Sequence, residues 1–156
     1  MKNFFFITLF LSSFLNAQSY YKKISEKNIN TERQTVAKNF IQDFLKKCED
    51  KNYSKFQNYN LSKRLEMFFD KTLEKNCQKN NEELGKIELL NFDSAYLNKY
   101  SENTDPYELF VFNAKTEKNP ELKYISVWIY QDQNYLSGIV ITKEKPLNPK
   151  KSNTKD

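Results

Sequence analysis

Between Thr31 and Cys48 the apolar residues fall at helical intervals: Val36, Ala37, Phe40, Ile41, Phe44, Leu45 and Cys48. Steps of three and four place them on one broad face, so the pattern predicts a helix over about 31–49. Thr31-Glu32-Arg33-Gln34 has the form of a capping box, with the Thr31 hydroxyl as N-cap and Gln34 reaching back. Asp50-Lys51-Asn52 interrupts the helix, and Tyr53 to Tyr59 has room for one or two helical turns. A second stripe, Leu65, Phe68, Phe69, Leu73 and Cys77, predicts a helix that opens near Leu61 or Ser62. It stops by Gly85, a residue suited to the position just past a helix end.

After Gly85 the period becomes two and the residues become β-formers. Lys86 to Tyr100 reads as one long strand or two short ones, with Ile87 and Leu89 on one face and Leu90 and Phe92 on the other. Ser101 to Pro106 is a turn cluster, Tyr107 to Glu117 a strand, and Asn119-Pro120 another turn. Glu121 to Gln131 is the clearest strand; Asp132-Gln133-Asn134 is a hairpin loop and Tyr135 to Lys143 the last strand. Helices followed by an antiparallel meander argue an α+β fold, with N-terminal helices on one face of a curved antiparallel sheet of about four strands. Glu121 to Gln131 is expected to be central, because it is apolar on both faces. Ile125, Val127 and Ile129 are assigned to tight packing; Tyr124, Ser126, Trp128 and Tyr130 are the candidate pocket wall or contact face.

The N-terminus has another character. Lys2 precedes the apolar stretch Phe4 to Leu15, which ends in Leu15-Asn16-Ala17. That stretch is too short to span a bilayer as a helix and has the length and flanks of a secretory signal. The expected layout is a signal peptide at 1–17, a polar lead-in at 18–30, one α+β domain at 31–143 and a disordered basic tail at 144–156. Localisation is expected to be periplasmic or secreted, in a bacterium, with no stable membrane insertion after signal cleavage. In an oxidising compartment Cys48 and Cys77, the only two cysteines, become a candidate disulfide. The alternative is two thiols buried as small hydrophobes. A plain antiparallel helix hairpin would hold the two near opposite ends and prevent the bond.

Charge and composition narrow the chemistry. The net charge of +5 is carried by the ends: residues 31–142 hold 16 basic and 17 acidic side chains, for −1. Nucleic-acid binding needs a basic stripe on the folded surface, and none is seen. Histidine is absent and there are two glycines, which removes histidine triads, imidazole zinc sites and glycine-rich phosphate loops. A cysteine nucleophile would lack its usual base. No metal or cofactor is expected. Asn52-Tyr53-Ser54 and Asn60-Leu61-Ser62 match glycan sequons, which arise readily by chance in a chain with 19 asparagines.

Phe40-Ile41-Gln42-Asp43-Phe44-Leu45, then Lys51-Asn52-Tyr53-Ser54-Lys55-Phe56, Leu61-Ser62 and Leu84-Gly85-Lys86-Ile87, form a series of structural punctuation marks over residues 31–143. The series resembles small exported bacterial domains of unknown function with the nuclear transport factor two-like fold. That cone-shaped, cystatin-like scaffold is shared with SnoaL-like polyketide cyclases, ketosteroid isomerases and limonene epoxide hydrolases. The resemblance implies a sheet curled round the helices to leave a conical pocket. Isomerase-like chemistry there would need a buried carboxylate base, for which Asp93 and Glu108 are the candidates. Epoxide-hydrolase-like chemistry would need an Asp-Arg-Asp set, and the only arginines are Arg33 and Arg64. The spacing singles out no carboxylate. The expected function is therefore a non-catalytic binding or self-association domain, holding a small apolar ligand in the cone or forming a homodimer through the sheet. A cone-fold enzyme of isomerase, cyclase or hydrolase type, acting on a small organic molecule, is the alternative.

The signal assignment makes a direct prediction. N-terminal sequencing of protein recovered from its host should begin at Gln18, with Tyr20 as the second cleavage site. Recovery of soluble cytoplasmic protein with Met1 to Ala17 intact would overturn the compartment.

Overall fold

The computed structural model describes residues 21–99, 105–132 and 134–147. The signal assignment at 1–17 and most of the turn expected at 101–106 lie outside them. Two helices, α1 (Thr31–Glu49) and α2 (Lys63–Leu84), precede four of the five strands: β1 (Tyr21–Lys23), β2 (Ile87–Asn98), β3 (Tyr107–Thr116), β4 (Tyr124–Tyr130) and β5 (Leu136–Thr142). The strands form one antiparallel sheet in the order β1-β2-β3-β4-β5. The α+β class and the packing of helices on an antiparallel sheet are as the pattern predicts. The sheet has one strand more than expected, because part of the polar lead-in forms β1. A three-residue strand is too short to show a period.

The cap of α1 lies one residue earlier than the capping-box motif suggests. Asn30 Oδ1 accepts from the Arg33 N–H at 2.9 Å, and Thr31 is already helical. Asparagine is at least as good an N-cap as threonine, so the preceding residue wins. For α2 the Ser62 hydroxyl accepts from the Leu65 N–H, and Gly85 closes the helix with φ +66°. A Cβ at Gly85 would stand 2.6 Å from Glu117 Oε2, so position and contact both demand glycine.

Ala37, Phe40, Ile41, Phe44 and Cys48 of α1 are buried against Leu65, Phe69, Leu73 and Cys77 of α2 and against the sheet. Phe68, placed in the stripe by spacing, is instead 47% exposed. Leu65, Phe69, Leu73 and Cys77 recur every fourth residue along one line; Phe68 lies on its flank. The sheet face toward the helices is formed by Ala95, Phe110, Phe112, Ala114, Ile125, Val127, Ile129 and Leu136. In β2, Phe92 joins Ile87 and Leu89 in packing on this core, while Leu90 is exposed. Two register shifts, between Leu89 and Phe92 and between Phe92 and Ser94, each add a residue to β2 and undo the simple alternation. β4 lies inside the sheet, between β3 and β5, with Ile125, Val127 and Ile129 fully buried as expected; β3 is the middle strand.

Residues 53–59 form no helix. They carry the chain back along α1: Phe56 and Tyr59 pack tilted and edge-on against Phe40, ring centres 5.1 and 5.2 Å away, and the Tyr59 hydroxyl donates to Asp43 at 2.6 Å. α1 is about 28 Å long at 1.5 Å per residue, a span within reach of the extended segment 50–62. α2 therefore runs the same way as α1, with its second turn beside the middle of that helix. Phe69 meets Phe40 and Phe44, Cys77 is bonded to Cys48, and the Asn81 amide donates to the Cys48 carbonyl. The helices are not the antiparallel hairpin that would have kept the thiols apart; the cysteine Cα atoms are 4.9 Å from each other.

The bond closes a loop across a sequence separation of 29 residues, which on the chain-entropy model stabilises the fold by roughly 3.5 kcal/mol. Reduction, or the double substitution Cys48→Ala/Cys77→Ala, should lower the melting temperature by about 10 °C. Two thiols titrating in unfolded, unreduced protein would refute the bridge.

Candidate functional site

The register brings Tyr124, Ser126, Trp128 and Tyr130 together on the sheet face turned away from the helices, opposite Leu109, Val111 and Tyr107 of β3. There Tyr124 and Trp128 pack on a second, smaller core of Tyr96, Leu109 and Val111. The Trp128 indole N–H donates to the Tyr21 hydroxyl at 2.9 Å, that hydroxyl lies 3.3 Å from the Tyr107 hydroxyl, and Asn98 Nδ2 donates to Tyr107 at 2.7 Å. Tyr130 meets the Tyr107 ring edge-on at 6.2 Å. Burial, and then the bond with Tyr107, pushes the Tyr21 phenol well above its ordinary range. Trp128 also lies over Gly138, where a Cβ would stand 3.2 Å from the indole. Beneath these rings Leu109, Val111 and Ser126 are fully buried. Ser126 Oγ has no hydrogen-bond partner among the described residues.

The segment expected to begin a solvated tail crosses this face. Leu147 packs with Tyr124 and Trp128 on the small core, and Lys145 Nζ lies 5.6 Å above the Tyr124 ring. Lys145 is anchored to Asp93 at 2.5 Å, and Ser94 donates to the same carboxylate. Burial by itself would raise the Asp93 carboxyl, but Lys145 and Ser94 outweigh it and hold the group below the usual carboxylate range. The bond to Asp93 in turn raises the Lys145 ammonium. The lysine is thus a strap, with the apolar Leu147 as its buckle.

Glu108, the other candidate base, is buried on the helix side of β3, but both its oxygens are taken. Arg33 grips it with Nε to Oε2 at 2.8 Å and Nη2 to Oε1 at 3.1 Å, and Gln131 adds a third bond at 2.8 Å. Arg33 Nη1 also donates to Asn134 Oδ1 at 3.2 Å, in the β4–β5 hairpin. This bidentate pair fastens the first turn of α1 to the far end of the sheet. Asp93, by contrast, is engaged through Oδ2 alone among the described residues.

The feature missed in the sequence is a groove of about 360 Å³ between α2 and β5, whose apolar walls include Phe44, Phe68, Phe69, Leu122, Ile139 and Ile141. Its signal was Phe68, an aromatic off the core line of its helix. The strand beside it, Leu136–Thr142, contains no charge and no proline. Along its outer side the described contact is at one end: the Ser62 N–H donates to the Leu136 carbonyl at 2.8 Å, and the Leu136 N–H donates to the Asn60 carbonyl at 2.9 Å. Three further surface grooves, of 350 to 630 Å³, lie elsewhere. None of the four is lined by Tyr124, Ser126, Trp128 or Tyr130. No helix among the described residues is long and apolar enough to cross a membrane. No family model, no curated protein and no solved structure matches the chain.

The Asp93 carboxyl is depressed in the folded protein, so its stabilising contribution is present above the unfolded value and is lost as pH falls through the folded one. Acidification below the ordinary carboxylate range should release the strap and shift the emission of Trp128, the single tryptophan, to longer wavelength. Asp93→Asn should remove that acid step; an unchanged profile would show that the strap does not depend on this pair.

Proposed function

We propose that the chain is an exported, non-catalytic binding domain of the nuclear transport factor two-like, cystatin-like type, and that it works through its surface rather than an internal cone pocket. Helices packed on one face of an antiparallel sheet support the fold assignment, and a disulfide suits an oxidising compartment. One observation carries the non-catalytic reading: the more buried candidate base, Glu108, has both oxygens engaged by Arg33 and Gln131, and Asp93 is ion-paired to Lys145 through Oδ2. Phe40, Phe110 and Phe112, buried in the core between the helices and the sheet, are essentially without exposure, which supports a filled interior. A ligand there would have to displace close-packed rings, whereas the α2–β5 groove needs no such rearrangement.

Native mass spectrometry of protein purified from its own host tests this. The expected spectrum shows the oxidised chain in complex with protein subunits and without a bound small molecule. A stoichiometric organic ligand that exchanges on addition of its analogues would restore the cone pocket, and with it the enzyme alternative.

A further inference from the structure

We infer that β5 is a pairing edge for a second copy of this chain, joined antiparallel about a two-fold axis at Val140. The inference rests on the binding-domain reading and names its partner. The two edges of the sheet are treated differently. At one end, β1 covers Tyr96 to Asn98 and two bulges kink the rest of β2, both standard ways of blunting an edge. At the other, β5 has neither charge nor proline, nor any covering strand among the described residues beyond its first position. An unguarded edge of β-branched residues is a pairing template.

Self-pairing is what the charges favour. The linker bond at Leu136 and the register shift beside it leave Gly138 to Thr142 open, with Val140 at the centre. Antiparallel pairing about that centre sets Val140 against Val140, Gly138 against Thr142 and Ser137 against Lys143, so no like charges meet. The linker then serves as a stop that forbids a longer or shifted register, since the partner's chain would collide with it beyond Ser137. A two-fold axis perpendicular to the sheet keeps both α2 helices on the same side. It turns the two grooves, with their exposed Phe68 rims, toward each other across the junction.

Sedimentation velocity on the purified protein should show a dimer that dissociates on dilution. Val140→Lys, which opposes two like charges at the axis, should give a monomer with an unchanged circular dichroism spectrum. Val140→Cys should form an intermolecular disulfide in air, and Ser137→Cys, which faces Lys143, should not. The cysteine pair decides the matter even if the lysine variant fails to fold. A monomer at all concentrations, or a dimer that Val140→Cys fails to cross-link, overturns the edge assignment. A monomer found with a different protein in the native mass spectrum would overturn the pairing and leave the binding-domain reading standing. A monomer with a bound organic molecule would remove both.

Discussion

Phe40 is where three segments of the chain are tied together. Its ring is fully buried and touches Phe56 and Tyr59 from the linker and Phe69 from α2. Burying such a ring stabilises the fold by about 2–3 kcal/mol, but its larger effect is directional. By holding the linker flat against α1, it returns the chain to the middle of that helix before α2 begins. Everything about the helical layer follows: the helices run the same way, Phe44 finds Phe69, and Cys48 comes to bonding distance of Cys77.

Around that layer the protein uses ionic contacts as fasteners. Arg33 and Glu108 are 75 residues apart in sequence, and their side chains are largely buried, at 16% and 5% exposure. Leaving either one alone would strand an uncompensated charge, which is far costlier than the pair is stabilising. Lys145 and Asp93, more exposed, do a lighter version of the same task on the opposite face. Two carboxylates of the kind an isomerase would use are thus committed to holding elements in place.

The helices were legible in the sequence because each buries one continuous face, and the longer strands because runs of β-forming residues are bounded by turn residues. Periodicity alone located both helix spans and the tight-packing trio Ile125, Val127 and Ile129. The rest was hidden for identifiable reasons. β1 is three residues long and pairs through its backbone, so it leaves no pattern. The first bulge in β2 moves Phe92 to the face of Ile87 and Leu89, and an inserted residue looks like any other in a polar–apolar string. The Tyr124, Ser126, Trp128 and Tyr130 set was found as a face, but its role depended on partners remote in sequence, Tyr21 and Leu147, that no local rule could supply. The direction of α2 turned on how an irregular linker packs, and irregular backbone has no period to read.

The connectivity also has a kinetic side. Most of the sheet is a ladder of neighbouring hairpins, each of which can zip onto the one before it. Both cysteines precede β2, so a chain emerging N-terminus first can oxidise its helical layer before the strands that cover it exist. Among the contacts that must wait are Arg33 onto Glu108, across 75 residues, and Tyr21 onto Trp128, across 107. The segments synthesised earliest, β1 and the first turn of α1, therefore gain these partners only from strands made much later.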